Sequence, residues 1–341
     1  MKRMIGLPSN CPLSCRIVPG LRLGLGMLAV LLAVGTTCGQ GTVVAWGVGT
    51  SAQLVPPPGL TNVIAVSAGG NHILALNGDG TTVAWGDNNY GQTNVPPVNG
   101  QTNVQPVADL VAISAGGWHN LALRSNGTVL AWGLSFYGAT AVPAGLNDVM
   151  AISAGLNHSL ALRSNGTVVA WGLYGGTATV PFGVPVGLTN VTAIAAGGSH
   201  DVALLADGHV LAWGDNSWGQ TNVPAGLSDV VAIAAGGSHS LALTRDGTLV
   251  TWGATYCHLT DIPTNLTNIL AIAAGGEQSV VLRGDGTMVA WGQYNGQFDV
   301  FVPGGLGHVS AVAAGEWDTA ALIPNQFSTW QPLNYVPPLQ V

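Results

Sequence analysis

The sequence predicts an all-β protein: a seven-bladed β-propeller of repeats about 39 residues long, closed by its own N-terminal strand. Trp-Gly occurs seven times, at Trp46, Trp85, Trp132, Trp171, Trp213, Trp252 and Trp291, with spacings of 39, 47, 39, 42, 39 and 39 residues. Ala-Gly interlocks with it at Ala68, Ala115, Ala154, Ala196, Ala235, Ala274 and Ala314; the next Trp-Gly always follows 17 residues later, whereas the way back takes 22 to 30. A rigid unit therefore alternates with an adjustable connection. The two ends of the repeat array are complementary: GTVVAWG from Gly41 is a third strand without its first two, and AVAAGEWDTAALIP is two strands without a third. Joining them removes the exposed edges that would otherwise invite aggregation.

In chain order, residues 1–40 stand outside the repeat. Lys2, Arg3, Arg16 and Arg22 precede an apolar run from Leu23 to Val34, then Gly35 and Thr36. The order reads as a secretory signal, and the run is too short to span a bilayer. Cys38 sits where a lipoprotein cysteine could lie, but Gly35, Thr36 and Thr37 lack the leucine-like residue of such signals, so simple cleavage near Gly39 is expected. Export and a secreted or cell-surface location follow as expectations. Without this segment four arginines face fifteen acids, a formal charge of −11, which repels phosphate backbones and argues against nucleic-acid binding. Cys257 is then the single cysteine, so stability rests on packing.

Residues 41–323 form the propeller. In VVAIAAGGSHSLALTRDGTLVTWG, Val230 to Gly253, three short strands with period-two alternation are written. Asp246-Gly247 joins two of them, and Asp79-Gly80, Asn126-Gly127, Asn165-Gly166, Asp207-Gly208 and Asp285-Gly286 occupy the same slot; these dipeptides supply the positive φ that a tight hairpin needs. Alternation is between large and small apolar residues rather than apolar and polar ones, so both faces of each sheet are covered, as stacked blades require. Only 7% of residues are charged and mean hydropathy is +0.40, in keeping with that packing. Gly-Gly pairs at 69, 116, 197, 236 and 275 mark places where backbones converge. Residues 324–341 read as an irregular tail beginning at Pro324.

Units such as AGGSHSLALTRDGTLVTWG and AWGDNSWGQTNVP resemble regulator of chromosome condensation repeats over about residues 41–323. WD-type repeats have a similar length, but Trp-Asp is missing at the corresponding position. Within the family, the short unit and the WGDNxxGQTNVP phrase at Trp85 and Trp213 look most like secreted bacterial propellers that inhibit β-lactamases. Eukaryotic members that exchange guanine nucleotides on a small GTPase and bind nucleosomes differ in having basic loops. The photoreceptor branch differs too, since it pairs clustered tryptophans with arginines, which are scarce here.

Histidine recurs at one slot, His72, His119, His158, His200 and His239, with Gln278 and Asp318 in the last two copies. Equivalent positions on different blades are whole sheets apart, too far to share a zinc ion, so a structural role and no metal are expected. Glu277 and Glu316 are the only glutamates and neither stands beside a second acid in sequence. Cys257-His258 lacks the third group that orients a dyad, and strand neighbours point apart. Arg283-Gly284-Asp285 and the sequons at Asn126 and Asn165 fall in hairpin slots and read as turn chemistry. No enzyme and no cofactor are implied.

The variable connections carry an aromatic residue a few positions beyond each tryptophan: Tyr90, Phe136 with Tyr137, Tyr174, Trp218, Tyr256 and Tyr294. On a propeller these gather on one face, where large rings with few rotamers suit recognition. Trp118 and Trp317, in the Ala-Gly loops, are secondary candidates. The expected function is a secreted, monomeric, non-catalytic module that binds an extracellular protein through this face. The resemblance implies a hydrolase such as a β-lactamase as that partner; a lectin-like, glycan-binding propeller is the alternative.

Overall fold

The hairpin dipeptides, the small-large alternation and the Trp-Gly stops cut every repeat into the same antiparallel sheet. The computed structural model describes residues 41–48, 51–60, 62–97, 109–135, 137–172, 183–294, 296 and 298–324. β1 (Gly41–Gly47) and the short helix α1 (Ser51–Leu54) come first. Blade 1 is β2 (Val63–Ala68), β3 (His72–Asn77) and β4 (Thr82–Gly86); blade 2 is β5 (Leu110–Ala115), β6 (His119–Arg124) and β7 (Val129–Gly133). Blade 3 is β8 (Val149–Ala154), β9 (His158–Arg163) and β10 (Val168–Gly172); blade 4 is β11 (Val191–Ala196), β12 (His200–Leu205) and β13 (Val210–Gly214). Blade 5 is β14 (Val230–Ala235), β15 (His239–Thr244) and β16 (Leu249–Gly253). Blade 6 holds β17 (Ile269–Ala274), β18 (Gln278–Arg283), β19 (Met288–Tyr294) and a short fourth strand, β20 (Phe298–Asp299). Blade 7 joins β21 (Ala311–Ala314) and β22 (Asp318–Pro324) to β1.

That last sheet is the predicted closure. β1 runs antiparallel to β22 in unbroken register from Gly41↔Pro324 to Gly47↔Asp318. Among the described residues the helical elements are α1 and a 3-10 turn at Tyr256–His258, additions to the all-β pattern the sequence predicts. The described helices include none long and apolar enough to cross a membrane.

The core is divided among the blade interfaces. Leu160, Leu162 and Val168 of blade 3 pack on Val191, Ile194 and Trp213 of blade 4, and an equivalent cluster of neighbouring blades fills each of the other six interfaces. Middle strands, covered on both sides, are the most deeply buried: Leu74, Ala75, Leu121, Ala122, Leu241 and Ala242 have no exposed surface. Each such leucine contributes about 2 kcal/mol by burial. The innermost strands line a central channel of about 230 Å³ walled by Ala, Val, Ile and Ser.

Polar contacts repeat around the ring as well. Gly70 N–H donates to Gly116 C=O, Gly117 to Gly155, Leu156 to Gly197, Gly198 to Gly236, Gly237 to Gly275, Gly276 to Gly315 and Glu316 to Gly69, at 2.9–3.3 Å. One backbone hydrogen bond thus crosses every interface, including the closure. A Cβ on Gly69 or Gly197 would lie 2.5 Å from the neighbouring blade's carbonyl oxygen, which is why these loops are glycine. The bonds bring Ala-Gly loops together on one end of the propeller, the loop face. The Asp-Gly and Asn-Gly hairpins lie at the other end, the turn face.

Candidate binding face

The loop face is assembled from two chain segments per blade, the Ala-Gly loop and the connection after Trp-Gly. The strand reverses at Trp-Gly because its glycine adopts a left-handed backbone; Gly253 has φ +108° and a Cβ there would stand 2.6 Å from Ser238 C=O. Tryptophan then fixes the connection of the preceding blade. Trp85 Nε1 donates to Gln53 C=O at 2.9 Å, Trp132 to Gln92 at 3.0 Å, Trp171 to Ala139 at 2.8 Å, Trp252 to Gln220 at 2.9 Å, Trp291 to Leu259 at 3.1 Å and Trp46 to Phe301 at 2.7 Å. The segment that would meet Trp213 lies outside the described residues. The repeat tryptophans are therefore structural, with a donor role that periodicity alone did not reveal.

The histidines act in the same joint. His119 Nε2 lies 2.9 Å from Ser159 Oγ, whose own proton goes to Ala139 C=O at 2.8 Å; the imidazole must then donate from Nε2. His200 and Ser240, with Gln220 C=O, repeat this arrangement. His72 meets Asn120 Oδ1 at 2.6 Å, His158 meets Asp201 Oδ1 at 2.7 Å and His239 meets Ser279 Oγ at 2.9 Å. Burial lowers the basicity of His72, and takes His119 and His239 down to about 3 and His200 to about 4, neighbouring histidines adding to the shift in the last three. All five histidines are interblade links, as their spacing implied, and burial favours the neutral form of His72, His119, His200 and His239. Among the described residues no group of three or more His, Cys, Asp or Glu is placed to hold a metal ion.

Of the predicted aromatic set, Tyr90 (49% exposed), Trp218 (56%) and Tyr256 (36%) stand out from the surface. Tyr90 meets Trp118 edge to face with centroids 5.6 Å apart, linking blades 1 and 2. Trp218 meets Tyr256 in the same way at 5.0 Å, linking the connections after blades 4 and 5. Tyr137 is half-buried. Tyr294 departs from the expectation of an exposed ring: it is 2% exposed, and its hydroxyl donates to Gln278 Oε1 at 3.0 Å. It lies on β19, which among the described third strands is the one that continues past Trp-Gly, and its ring enters the core. Phe136 and Tyr174 lie outside the described residues.

Inside the ring of loops is the channel mouth, a recess of about 340 Å³ lined by the glycines together with Leu156, Tyr256, Glu277, Glu316 and Trp317. Burial and then the nearby Glu277 raise the pKa of Glu316, so the two glutamates interact across blades 6 and 7. The sequence reading treated them as isolated acids. The signal was present, because Glu277 stands one residue and Glu316 two residues before the histidine slot in successive Ala-Gly loops. Cys257 and His258 sit on the 3-10 turn rather than a strand, His258 Nδ1 being 2.7 Å from Asp261. Burial and Glu277 push the Cys257 thiol up, opposite to the activation a nucleophile needs.

On the turn face, Asn126 and Asn165 each accept from the backbone N–H and hydroxyl of the threonine two residues on, and Asp285 does the same for Thr287. The sequons and the Arg-Gly-Asp tripeptide are hairpin chemistry, as their position suggested.

The regulator of chromosome condensation (RCC1) repeat family matches residues 63–92, 110–139, 150–173, 191–220 and 230–258. No curated protein matches the chain. Among solved structures it is similar to Prp20p from Saccharomyces cerevisiae, described together with its binding to Gsp1p and histones, at 22% identity and a TM-score of 0.68 over 84% of this chain and 92% of that one. A second structure, Kap60 bound to yeast RCC1 (Prp20), shows 21% identity and a TM-score of 0.68 over 94% and 96%. Human WBSCR16 follows at 17% identity and a TM-score of 0.62 over 84% and 99%. Such likenesses show the fold.

These neighbours correct the resemblance to β-lactamase-inhibitor propellers. With it go the secreted or cell-surface location, the signal-peptide reading of residues 1–40, and the extracellular protein or glycan partner. The physical reason lies in the phrase that suggested the likeness. In the first WGDNxxGQTNVP loop, Gln92 Nε2 donates to Asp87 Oδ2, Asn88 Nδ2 to Asn94 Oδ1, and the Tyr90 and Thr93 amides to Gln92 Oε1 and Asn88 Oδ1, at 2.9–3.0 Å. The loop at Asp215 repeats every one of these bonds. The phrase encodes a self-bonded loop and carries no information about a ligand. The RCC1 repeat model matches segments in five of the seven blades, and the fold is similar to that of Prp20p.

Proposed function

We propose that the chain is a non-catalytic protein-binding scaffold that presents its loop face to a protein partner. The observation that carries this reading is the pair of exposed edge-to-face aromatic contacts, Tyr90–Trp118 and Trp218–Tyr256, mounted on loops whose polar groups bond to each other. Rigid rings of this kind lose little side-chain entropy on binding and supply large contact area. Tyr90, Tyr137, Trp218 and Tyr256 form the described part of the surface, and Phe136 and Tyr174 complete it by sequence position. Residues 41–323 act as one propeller unit, to which Pro324 adds the end of β22. The solved relative Prp20 is itself described bound to a protein, Kap60, which supports a protein-binding use of the fold. The test is cross-linking mass spectrometry with the full chain: cross-links to a partner should cluster on the connections after Trp-Gly and vanish in a Tyr90→Ala/Trp218→Ala/Tyr256→Ala variant. Cross-links confined to the turn face would overturn the proposal.

A further inference from the structure

The described arginines are confined to one end of the propeller, while acidic residues lie at both. Every described arginine belongs to the turn face: Arg124, Arg163 and Arg283 end middle strands there, and Arg245 follows one. Arg124 and Arg163 are also paired on that face, with Asp109 at 2.9 Å and Asp148 at 2.8 Å. The chain's one lysine, Lys2, is outside the described residues. The turn face carries aspartates as well, Asp79, Asp109, Asp148, Asp207, Asp229, Asp246 and Asp285, so its arginines stand among acids, whereas the loop face has acids and no described arginine. Asp87 and Asp215 sit in the aromatic connections, and both glutamates of the chain line the channel mouth. His258, on the loop face, is already against Asp261.

The mouth is built to the scale of side chains. Its rim is the continuous glycine hydrogen-bond circle, which leaves the backbone open while Glu277 and Glu316 reach in from adjacent blades. Glu316 extends along this rim: a Cβ on Gly70 would come within 3.2 Å of its Oε2, and one on Gly276 within 2.9 Å of its Cγ. Tyr256 lines the same recess and packs against exposed Trp218. Two interacting carboxylates in a partly desolvated recess, beside an aromatic pair, attract one kind of group: a cation on a flexible stem, held by charge and by the ring faces.

Resting on the scaffold reading above, we propose that the protein partner engages this face through a basic segment, placing a lysine or arginine side chain in the mouth between Glu277 and Glu316 and its neighbours against Trp218 and Tyr256. A cation there relieves the repulsion between the glutamates, and the loop face, acidic and without a described arginine, draws the segment more strongly than the turn end, where arginines stand among the aspartates. A nucleic acid is disfavoured by the same field.

The test uses the full chain and a dye-labelled peptide of alternating lysine and glycine, with a second peptide in which every lysine is glutamine. The lysine peptide should raise fluorescence anisotropy and quench tryptophan emission, and its binding should weaken as salt rises from about 0.05 to about 0.5 M. Glu277→Gln/Glu316→Gln should weaken it by about tenfold or more, with an unchanged melting temperature showing that the fold is intact. Arg245→Gln/Arg283→Gln, on the turn face, should not weaken it. Equal binding of the two peptides, or an unchanged affinity in the glutamate variant, overturns the proposal. The two readings fail separately: a partner cross-linked through Trp218 and Tyr90 that still binds Glu277→Gln/Glu316→Gln at full strength leaves the scaffold standing and removes the basic segment.

Discussion

At the scale of single residues, the same side-chain type serves two purposes according to where its strand stops. Tyr90 and Tyr294 occupy related places after Trp-Gly, yet one stands on a self-bonded loop and the other on an extended strand inside blade 6. Tyr90→Ala or Trp218→Ala should cost roughly 1–2 kcal/mol of partner affinity and leave thermal unfolding within about 1 °C of the parent, because surface truncations barely change stability. Tyr294→Ala should instead cost roughly 3–5 kcal/mol of folding stability by opening a cavity, measurable by chemical denaturation. Gly253→Ala is expected to cost about 2 kcal/mol or more, since it sets a Cβ against Ser238 C=O in a left-handed backbone. A melting temperature equal to the parent's would show that the loop relaxes freely.

The relevant element is the joint between blades, where the histidine slot of one blade reaches the following position of the next. Blades 1 to 6 complete this link, the sixth through Gln278, whose Oε1 accepts from Thr319 and whose Nε2 donates to Asp318 C=O. At the closure the register offers Ile73, which has no polar atom. Asp318 is left with Gln53 Nε2 at 3.5 Å and an Oδ1 without a hydrogen-bond partner among the described residues. Burial raises its pKa to about 8, so the folded protein holds a proton that the unfolded chain releases near 3.8. Stability must therefore fall as pH rises between about 4 and about 8. The histidines act in the other direction. Below 6.5 the unfolded chain takes up protons that His119, His239 and His200 refuse until about 3 to 4, so stability falls as pH drops through that window. Several histidines outweigh one aspartate, which puts the stability maximum near pH 6.5. Denaturation midpoints measured across pH should show that peak, and Asp318→Asn should flatten the decline above it; a slope unchanged by the substitution would rule out Asp318 as its source.

For the whole molecule, stability is shared around a circle whose one covalent gap is bridged by β1. Val43 of that strand is buried against blade 1 and Trp46 against blade 6, and together they contribute roughly 3–6 kcal/mol. A chain beginning at Val48 loses this burial and exposes the edge of β22. It should lose cooperative unfolding and form oligomers on size exclusion; a monomer with the parent's melting temperature would mean that the seam is dispensable. The confinement of the described arginines to one end belongs to this scale too, because it is set by the common strand order of all the blades.

The blade count, the hairpins and the shared seventh sheet could be read directly from the chain, because they follow from local backbone chemistry repeated at a fixed interval: Asp-Gly and Asn-Gly turns, large-small alternation, and ends that complete each other. Histidine's structural role was legible for the same reason. What the tertiary structure decided depends on which blades become neighbours and in which register. It turned Tyr294 inward, made the WGDNxxGQTNVP phrase a self-contained loop, gave Asp318 an apolar counterpart, and brought Glu277 and Glu316, 39 residues apart, to one recess. Those are contacts between distant parts of the chain, and a linear pattern of local preferences does not contain them.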